Sequence, residues 1–210
     1  LVNDSNTVFD IGGNIGWYAI GISKAKKNID MHTFEPILST YESLVGNAKI
    51  NGVEIKINNF GLSDNKQDLV FYFHKEGSGN ASAAIMNDDR ENIEVKCHVD
   101  TLDNYFKDNS IEKLDFIKCD VEGAELLTFK GGIETISKHK PIVFTEMLRK
   151  WSEKFDYNPN EIIDLFRNIG YGCYFVVGDK LEEIVIMTDK TIETNFFFLH
   201  KEKHQNKLKE

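Results

Sequence analysis

VFDIGGNIGWYAI, residues 8–20, is the stretch on which the reading of this chain turns. Val8 to Ile11 is an apolar run carrying one acid, Asp10. Glycines follow at 12, 13 and 16, and a second apolar run begins at Trp17. This order predicts a buried strand, a tight turn and a helix start in quick succession. Gly12 and Gly13 let the backbone take positive φ and come close to a ligand, and the free N–H groups opening the next helix favour an electronegative group. A small polar ligand is expected there. The dinucleotide fingerprint needs glycine at its first, third and sixth positions, but here the third is Asn14 and the sixth Trp17.

Downstream, Gly16 to Lys27 reads as a helix whose last turn carries Lys24, Lys26 and Lys27 against the negative end of the helix dipole. Met31 to Phe34 is a short apolar strand stopped by Glu35-Pro36. Pro36 suits a first helical position, and Leu38, Tyr41, Val45 and Ala48 repeat at helical spacing until Asn51-Gly52. Strand, helix, strand, helix with short links predicts a parallel sheet with right-handed crossovers. Glu35 then stands about twenty residues past the glycine turn, where an acid holds ribose hydroxyls in nucleoside-binding sheets. A cap for the helix after it is the alternative, and the two roles are compatible.

Glu54 to Phe60 is a third strand, ending at Gly61-Leu62-Ser63. From there the period changes to two: Leu69, Phe71 and Phe73 alternate with polar or outer residues, as do Val95, Cys97 and Val99, which predicts an added pair of strands. The segment between them, residues 75–92, is small and polar, with Gly77 and Gly79 as candidate hinges of a flap or surface loop. Asp100-Thr101-Leu102-Asp103 opens a short helix through Phe106. Leu114 to Cys119 is a further buried strand running into Asp120-Val121-Glu122-Gly123-Ala124-Glu125, a dense polar cluster at the strand end where open parallel sheets bind ligands. Gly131-Gly132 stops the following helix, and Ile142 to Thr145 is a strand tipped by Glu146. Asn160 to Asn168 is helical, and Tyr171 to Val177 and Asn195 to His200 are strands forming an antiparallel edge, with Phe196 to Phe198 in the core.

A length of 210 residues suits one domain with a full core, and 41% hydrophobic with 28% charged residues is ordinary for a globular protein. The balance of 25 basic to 34 acidic residues leaves a net charge of −9, which disfavours a phosphate backbone as partner. No membrane-spanning apolar run or signal peptide is visible, and three well-separated cysteines, Cys97, Cys119 and Cys173, read as reduced core residues, so a cytoplasmic protein is expected. Opening at Leu1 only a few residues before a strand, the chain is read as a possible piece of something longer. Residues 201–210 are expected to be a solvated, charged tail to a single domain of residues 1–200.

Taken together, FDIGGNIGWYAI, TFEP, VDTLDNYF and above all IKCDVEGAE resemble the FkbM family of class I S-adenosylmethionine-dependent methyltransferases, over roughly Val8 to Glu146. The resemblance implies a three-layer αβα sandwich, a Rossmann-like fold with a mostly parallel seven-stranded sheet, here with an added β-hairpin. It implies S-adenosylmethionine as donor and a hydroxyl, on a sugar or other small molecule, as acceptor. Carried over by position, Asp10, Gly12, Gly13, Asn14 and Gly16 would shape the loop around the methionine end of the donor. Glu35 would hold the ribose, Gly61, Leu62 and Ser63 would lie along the adenine, and Asp120 would sit beside the reacting methyl. Gly13 replaces the alanine more usual at that point, and Cys119 an isoleucine.

Methyl transfer is an in-line displacement at a sulfonium, so alignment and a proton acceptor are its main aids. Asp120 and Glu122 are the leading candidates for the catalytic carboxylates. Glu125 could share the role or serve only as a first-turn acid. Asp120 and Glu122 could instead hold magnesium to lower the acceptor's pKa. His98 is a weaker candidate base. Two other classes compete: a NAD-dependent oxidoreductase, which also needs a glycine turn and Glu35, and a methyltransferase-like domain that binds a nucleoside without catalysis. The flap and Trp151 to Pro159 are expected to choose the acceptor.

Overall fold

A computed structural model of the chain describes residues 1–74, 77–82 and 92–208. β1 (Thr7–Ile11), α1 (Trp17–Ala25), β2 (Asp30–Phe34), α2 (Leu38–Asn51) and β3 (Lys56–Asn58) are the strand–helix units anticipated from the opening third. β4 (Gly61–Leu62), β5 (Gln67–His74), β6 (Gly77–Ser82) and β7 (Asn92–Asp100) follow. After them come α3 (Leu102–Asp108), β8 (Phe116–Cys119), α4 (Glu125–Lys130), α5 (Ile133–His139), β9 (Ile142–Glu146), α6 (Arg149–Ser152) and α7 (Asn160–Asn168). β10 (Tyr171–Val177), β11 (Lys180–Ile184) and β12 (Asn195–His200) complete the chain.

The main sheet has the order β11-β10-β12-β9-β8-β1-β2-β3. It is parallel from β9 to β3, and β12 runs antiparallel between β9 and β10. Alternation along the central strands sorts two cores. Phe9, Ile11, Ile117 and Cys119 face α3, α4, α5 and α7, while Val8 and Phe116 face α1 and the C-terminal turn. Fully burying a side chain of this size stabilises by about 1.5–3 kcal/mol, so this double-faced burial explains why β1 and β8 read as continuous apolar runs. The three-layer class I methyltransferase arrangement is therefore present. Its sheet carries eight strands instead of seven, because Lys180–Ile184 folds back on β10 through the turn at Gly178.

The expected hairpin pairs β5 with β7 in register from Gln67↔Val99 to His74↔Asn92 and grows into a second sheet of order β4-β7-β5-β6. Gly77 and Gly79 lie in β6, paired to β5, and not in a loop. The rest of the expected flap, residues 75–76 and 83–91, lies outside the described residues. α2 begins two residues later than Pro36 suggests: Ile37 is its cap, and the Glu35 carboxylate accepts the Ile37 N–H at 2.9 Å. It ends as expected at Gly52, whose φ of 64° closes the last turn. α3 is capped by Thr101, which accepts the Asn104 N–H. Asp103 instead accepts the Glu134 and Thr135 N–H groups and so caps α5, a helix the sequence pattern did not reveal.

The C-terminal segment is charged and largely exposed at Lys201 to Lys203, Gln205 and Asn206, yet residues 201–208 form turns, with His204 buried and Leu208 against the second core. Lys203 Nζ donates to the His139 and Lys140 carbonyls, and Lys207 Nζ meets Asp4 at 2.6 Å. Lysine stems cover apolar surface while their ends find carbonyls, which a charge count does not reveal. Among the described residues no helix is long and apolar enough to cross a membrane. Ending the chain after His200 is expected to cost about 2 kcal/mol and to lower the Tm by about 4–8 °C in a calorimetric scan. An unchanged Tm would mean that the segment is solvated after all.

Candidate active site

The sheet changes direction at β1, whose chain neighbour β2 lies on one side and β8 on the other. Ile11 is the register partner of both Phe34 and Cys119, so the three strands end level. Gly12, Glu35 and Asp120 therefore emerge side by side, at the topological switch point where such sheets bind ligands. A cavity of about 330 Å³ opens there, lined by Gly12, Gly13, Asn14, Glu35, Lys118, Asp120 and Glu122, with Trp17 and Tyr18 from α1 and Phe71 from β5.

The glycine loop has no room for side chains. Gly12 and Gly13 both donate their N–H to the Phe34 carbonyl, and Gly12 takes φ 76°. A Cβ at Gly12 would stand 1.9 Å from the Asp120 carbonyl oxygen, and one at Gly13 would stand 1.9 Å from the Thr33 hydroxyl. An alanine at position 13 would therefore press on the Thr33 hydroxyl. Asn14 holds φ 48° and gives its N–H to Glu35 at 3.0 Å. Gly16, at φ 92°, caps α1 and bonds back to Gly13.

Glu35 spans the loop and the helix: one oxygen accepts from Asn14, the other from Ile37. Burial pushes its carboxyl up to about 7, against the pull of those two N–H groups. Asp10 lies beneath the cavity, fully buried, accepting the Ala19 N–H of α1 at 3.2 Å. Its cross-strand partner is Lys118, only 4% exposed, whose ammonium is 3.2 Å from Asp10, 2.9 Å from the Gly12 carbonyl and 3.7 Å from Asp120. Burial works against the charge of Lys118, but the Asp10 and Asp120 carboxylates outweigh it and hold the ammonium above its usual range. The sequence reading missed Lys118. Its signal was a lysine inside a strand, FIKC, that is otherwise apolar and buried.

On the opposite wall, Glu122 adopts φ 53°, and burial, then the carboxylates of Asp120, Glu146 and Glu125, push it up to about 7. Glu125 does not act as a base at the cavity. It is 3% exposed, one oxygen accepting the Val121 and Gly123 N–H groups and the other the Tyr157 hydroxyl. It braces the turn, and the backbone of Trp151 packs on Gly123 from above.

Three further expectations are not met. Gly61, Leu62 and Ser63 do not line the cavity: Gly61 and Leu62 pair with Val99 and Asp100, and Ser63 donates its N–H to Asp100. His98 pairs with Asp68 on the second sheet, outside the cavity lining. Among the described residues no group of three or more His, Cys, Asp and Glu side chains could hold a metal ion, and no other observation supports the magnesium route through Asp120 and Glu122.

The methyltransferase FkbM domain family matches residues 10–173, well over half of the chain. The chain belongs to the FkbM family. Methyltransferase 1 of Beauveria bassiana is 23% identical over 149 residues, covering 61% of this chain and 59% of its own. Methyltransferase sdnD of Sordaria araneosa is 25% identical over 173 residues, covering 69% and 66%. A solved FkbM methyltransferase from Methylobacillus flagellatus shares the fold, with TM-score 0.57 and 19% identity over 93% of this chain and 44% of that one. This FkbM domain thus spans less than two thirds of the length of either curated relative.

The family implies S-adenosylmethionine as donor, and the residues fit an adenosyl group. Gly12 and Gly13 bring bare backbone to the cavity wall, Glu35 presents a carboxylate to the cavity, and the Asn14 side-chain oxygen is buried with no hydrogen-bond partner. The nicotinamide reading is left without support.

Gly13→Ala is expected to cost about 1–3 kcal/mol in urea unfolding, with much of the loss recovered in Gly13→Ala/Thr33→Ala, since the obstacle is a hydroxyl. Gly12→Ala should gain nothing from Thr33→Ala, because its obstacle is backbone and its φ is positive. Equal behaviour of the two pairs would contradict this geometry.

Burial also raises Glu125 to about 7 from an unfolded value of 4.5. The folded state binds this proton more tightly, so the group's contribution is fully present below pH 4.5 and is lost as pH rises through 7. Glu125→Gln keeps a side-chain oxygen to accept the Val121 and Gly123 N–H groups without that dependence. Its stability relative to wild type should therefore rise by about 1–3 kcal/mol between pH 4.5 and 7.5, measured by urea unfolding; a flat difference would refute the assignment.

Proposed function

We propose that this FkbM domain transfers a methyl group from S-adenosylmethionine to a hydroxyl of a small molecule, a sugar or a similar polyol. The supporting observation is that the glycine loop, Glu35, Asp120 and Glu122 share one cavity at the level ends of β1, β2 and β8. When bound, the donor supplies a methyl on a sulfonium. Glu35 accepts hydrogen bonds from ribose hydroxyls while the Asn14 and Ile37 N–H groups fix its orientation. Asp120 faces the sulfonium end. Glu122, held near neutrality, would take the proton of an acceptor hydroxyl attacking the donor methyl, the bonding pair leaving with sulfur.

Trp17, 82% exposed at the mouth, and the Phe71 ring offer apolar faces against which a sugar ring can lie. The Trp151 to Pro159 segment packs on the turn that carries Glu122, with the Trp151 backbone against Gly123 and the Tyr157 hydroxyl donating to Glu125. A net charge of −9 favours such a neutral acceptor over nucleic acid.

Thermal shift tests the donor first: S-adenosylhomocysteine should raise the Tm and NAD should not. With a panel of hydroxylated acceptors, Glu122→Gln should lower kcat by about 10²–10⁴-fold while S-adenosylhomocysteine affinity stays within a few-fold. Wild-type turnover with no acceptor despite tight donor binding would favour a binding domain without catalysis. Full activity of Glu122→Gln would remove the base.

A further inference from the structure

We propose that Lys118 is a positioning residue that brings the Asp10–Lys118–Asp120 set to one net negative charge, and so moderates the preference of the site for the charged donor over the neutral thioether left after transfer. The inference rests on the methyltransferase reading above and concerns a residue that no part of that mechanism uses.

Lys118 is the cross-strand partner of Asp10, and both side chains point to the α1 side of the sheet. Its ammonium is enclosed by Asp10, the Gly12 carbonyl, Asp120 at 3.7 Å and the Tyr18 ring at 5.1 Å from its centroid. Opposite charges facing each other across buried strands support the pairing, but a neutral polar pair would do so without a buried charge. Charge arithmetic suggests what the ammonium adds. Two carboxylates alone would carry −2, and with Lys118 the set carries −1. A sulfonium beside Asp120 brings the set to zero. Once the methyl has left, the ligand is neutral and the −1 is again uncompensated, so product is held less well than donor. Without Lys118 the preference for a cation would be stronger still, because a unit charge a few ångströms away in a partly buried site is worth about tenfold or more in affinity.

The same ammonium ties the two sides of the cavity together. It bonds the Gly12 carbonyl of the glycine loop while lying within ion-pair distance of the acid that follows β8. Loss of packing alone would therefore weaken every ligand, whereas loss of the charge would separate ligands by their own charge.

Calorimetric titration of wild type, Lys118→Met, Lys118→Arg and Asp120→Asn with two probes separates these cases. One probe is S-adenosylhomocysteine, a neutral thioether; the other is sinefungin, whose amine is cationic at the sulfonium position. The preference for sinefungin should rise at least about tenfold in Lys118→Met, stay within about twofold of wild type in Lys118→Arg, and fall in Asp120→Asn. An unchanged ratio in Lys118→Met, with both ligands weakened alike, overturns the proposal and leaves a structural lysine. Should Lys118→Met not fold, Asp120→Asn decides: a lower ratio supports the charge balance and an unchanged one overturns it. If wild type binds neither probe, the methyltransferase reading itself fails, and this inference with it.

Discussion

The level ending of β8, β1 and β2 is the constraint on which the site depends. Parallel pairing sets Ile11 opposite Phe34 and Cys119, and the ladder continues one step further, with Gly12 N–H on the Phe34 carbonyl and Asp120 N–H on the Ile11 carbonyl. Strand side chains alternate with period two, so a slip of one residue would send Asp10 and Lys118 into the Phe9 core and bring Phe9 and Ile117 under the glycine loop. Hydrophobic sorting between the two cores forbids that slip. The chemistry above the sheet is thus held in place by apolar residues that never touch a ligand.

Such a site concentrates charge where charge is costly. Asp10, Lys118, Glu35 and Glu125 are all buried, and an unpaired buried ion is strongly destabilising. Each is met by groups that the fold supplies: the Ala19 N–H for Asp10, the Gly12 carbonyl for Lys118, the Asn14 and Ile37 N–H groups for Glu35, and the Val121 and Gly123 N–H groups for Glu125. Backbone dipoles at turns therefore carry much of the electrostatic work. That is why the loop glycines and the positive-φ positions Asn14 and Glu122 sit next to these acids.

The parallel strands were legible because burial on both faces leaves a run that is apolar but for one charged residue, as in VFDI and FIKC. α7, β10 and β12 could be bounded to the residue, since their patterns are strong and Gly170 and Gly178 punctuate them. α5 escaped notice because its cap, Asp103, is supplied from another helix. β11 escaped because an edge strand reading KLEEI is largely exposed and lacks an apolar signature. At the site, the glycine turn, Glu35 and the acids after β8 were readable from their places at strand ends, and Asn14 came with the family likeness, whereas Lys118 depends on which residue of β8 faces Asp10, 108 positions away in sequence. Only register discloses that. Gly61 to Ser63 came from likeness alone, and their pairing with β7 draws them into the second sheet.

Phe71 belongs to that second sheet, whereas the loop and acids below it belong to the first. The cavity therefore has two authors. Substitutions across β5 and β7 can reshape its rim while the register of the main sheet stays intact, so recognition at the entrance is free to drift under selection without loss of the grip beneath. A fold partitioned in this way can diversify its clientele while keeping its reagent.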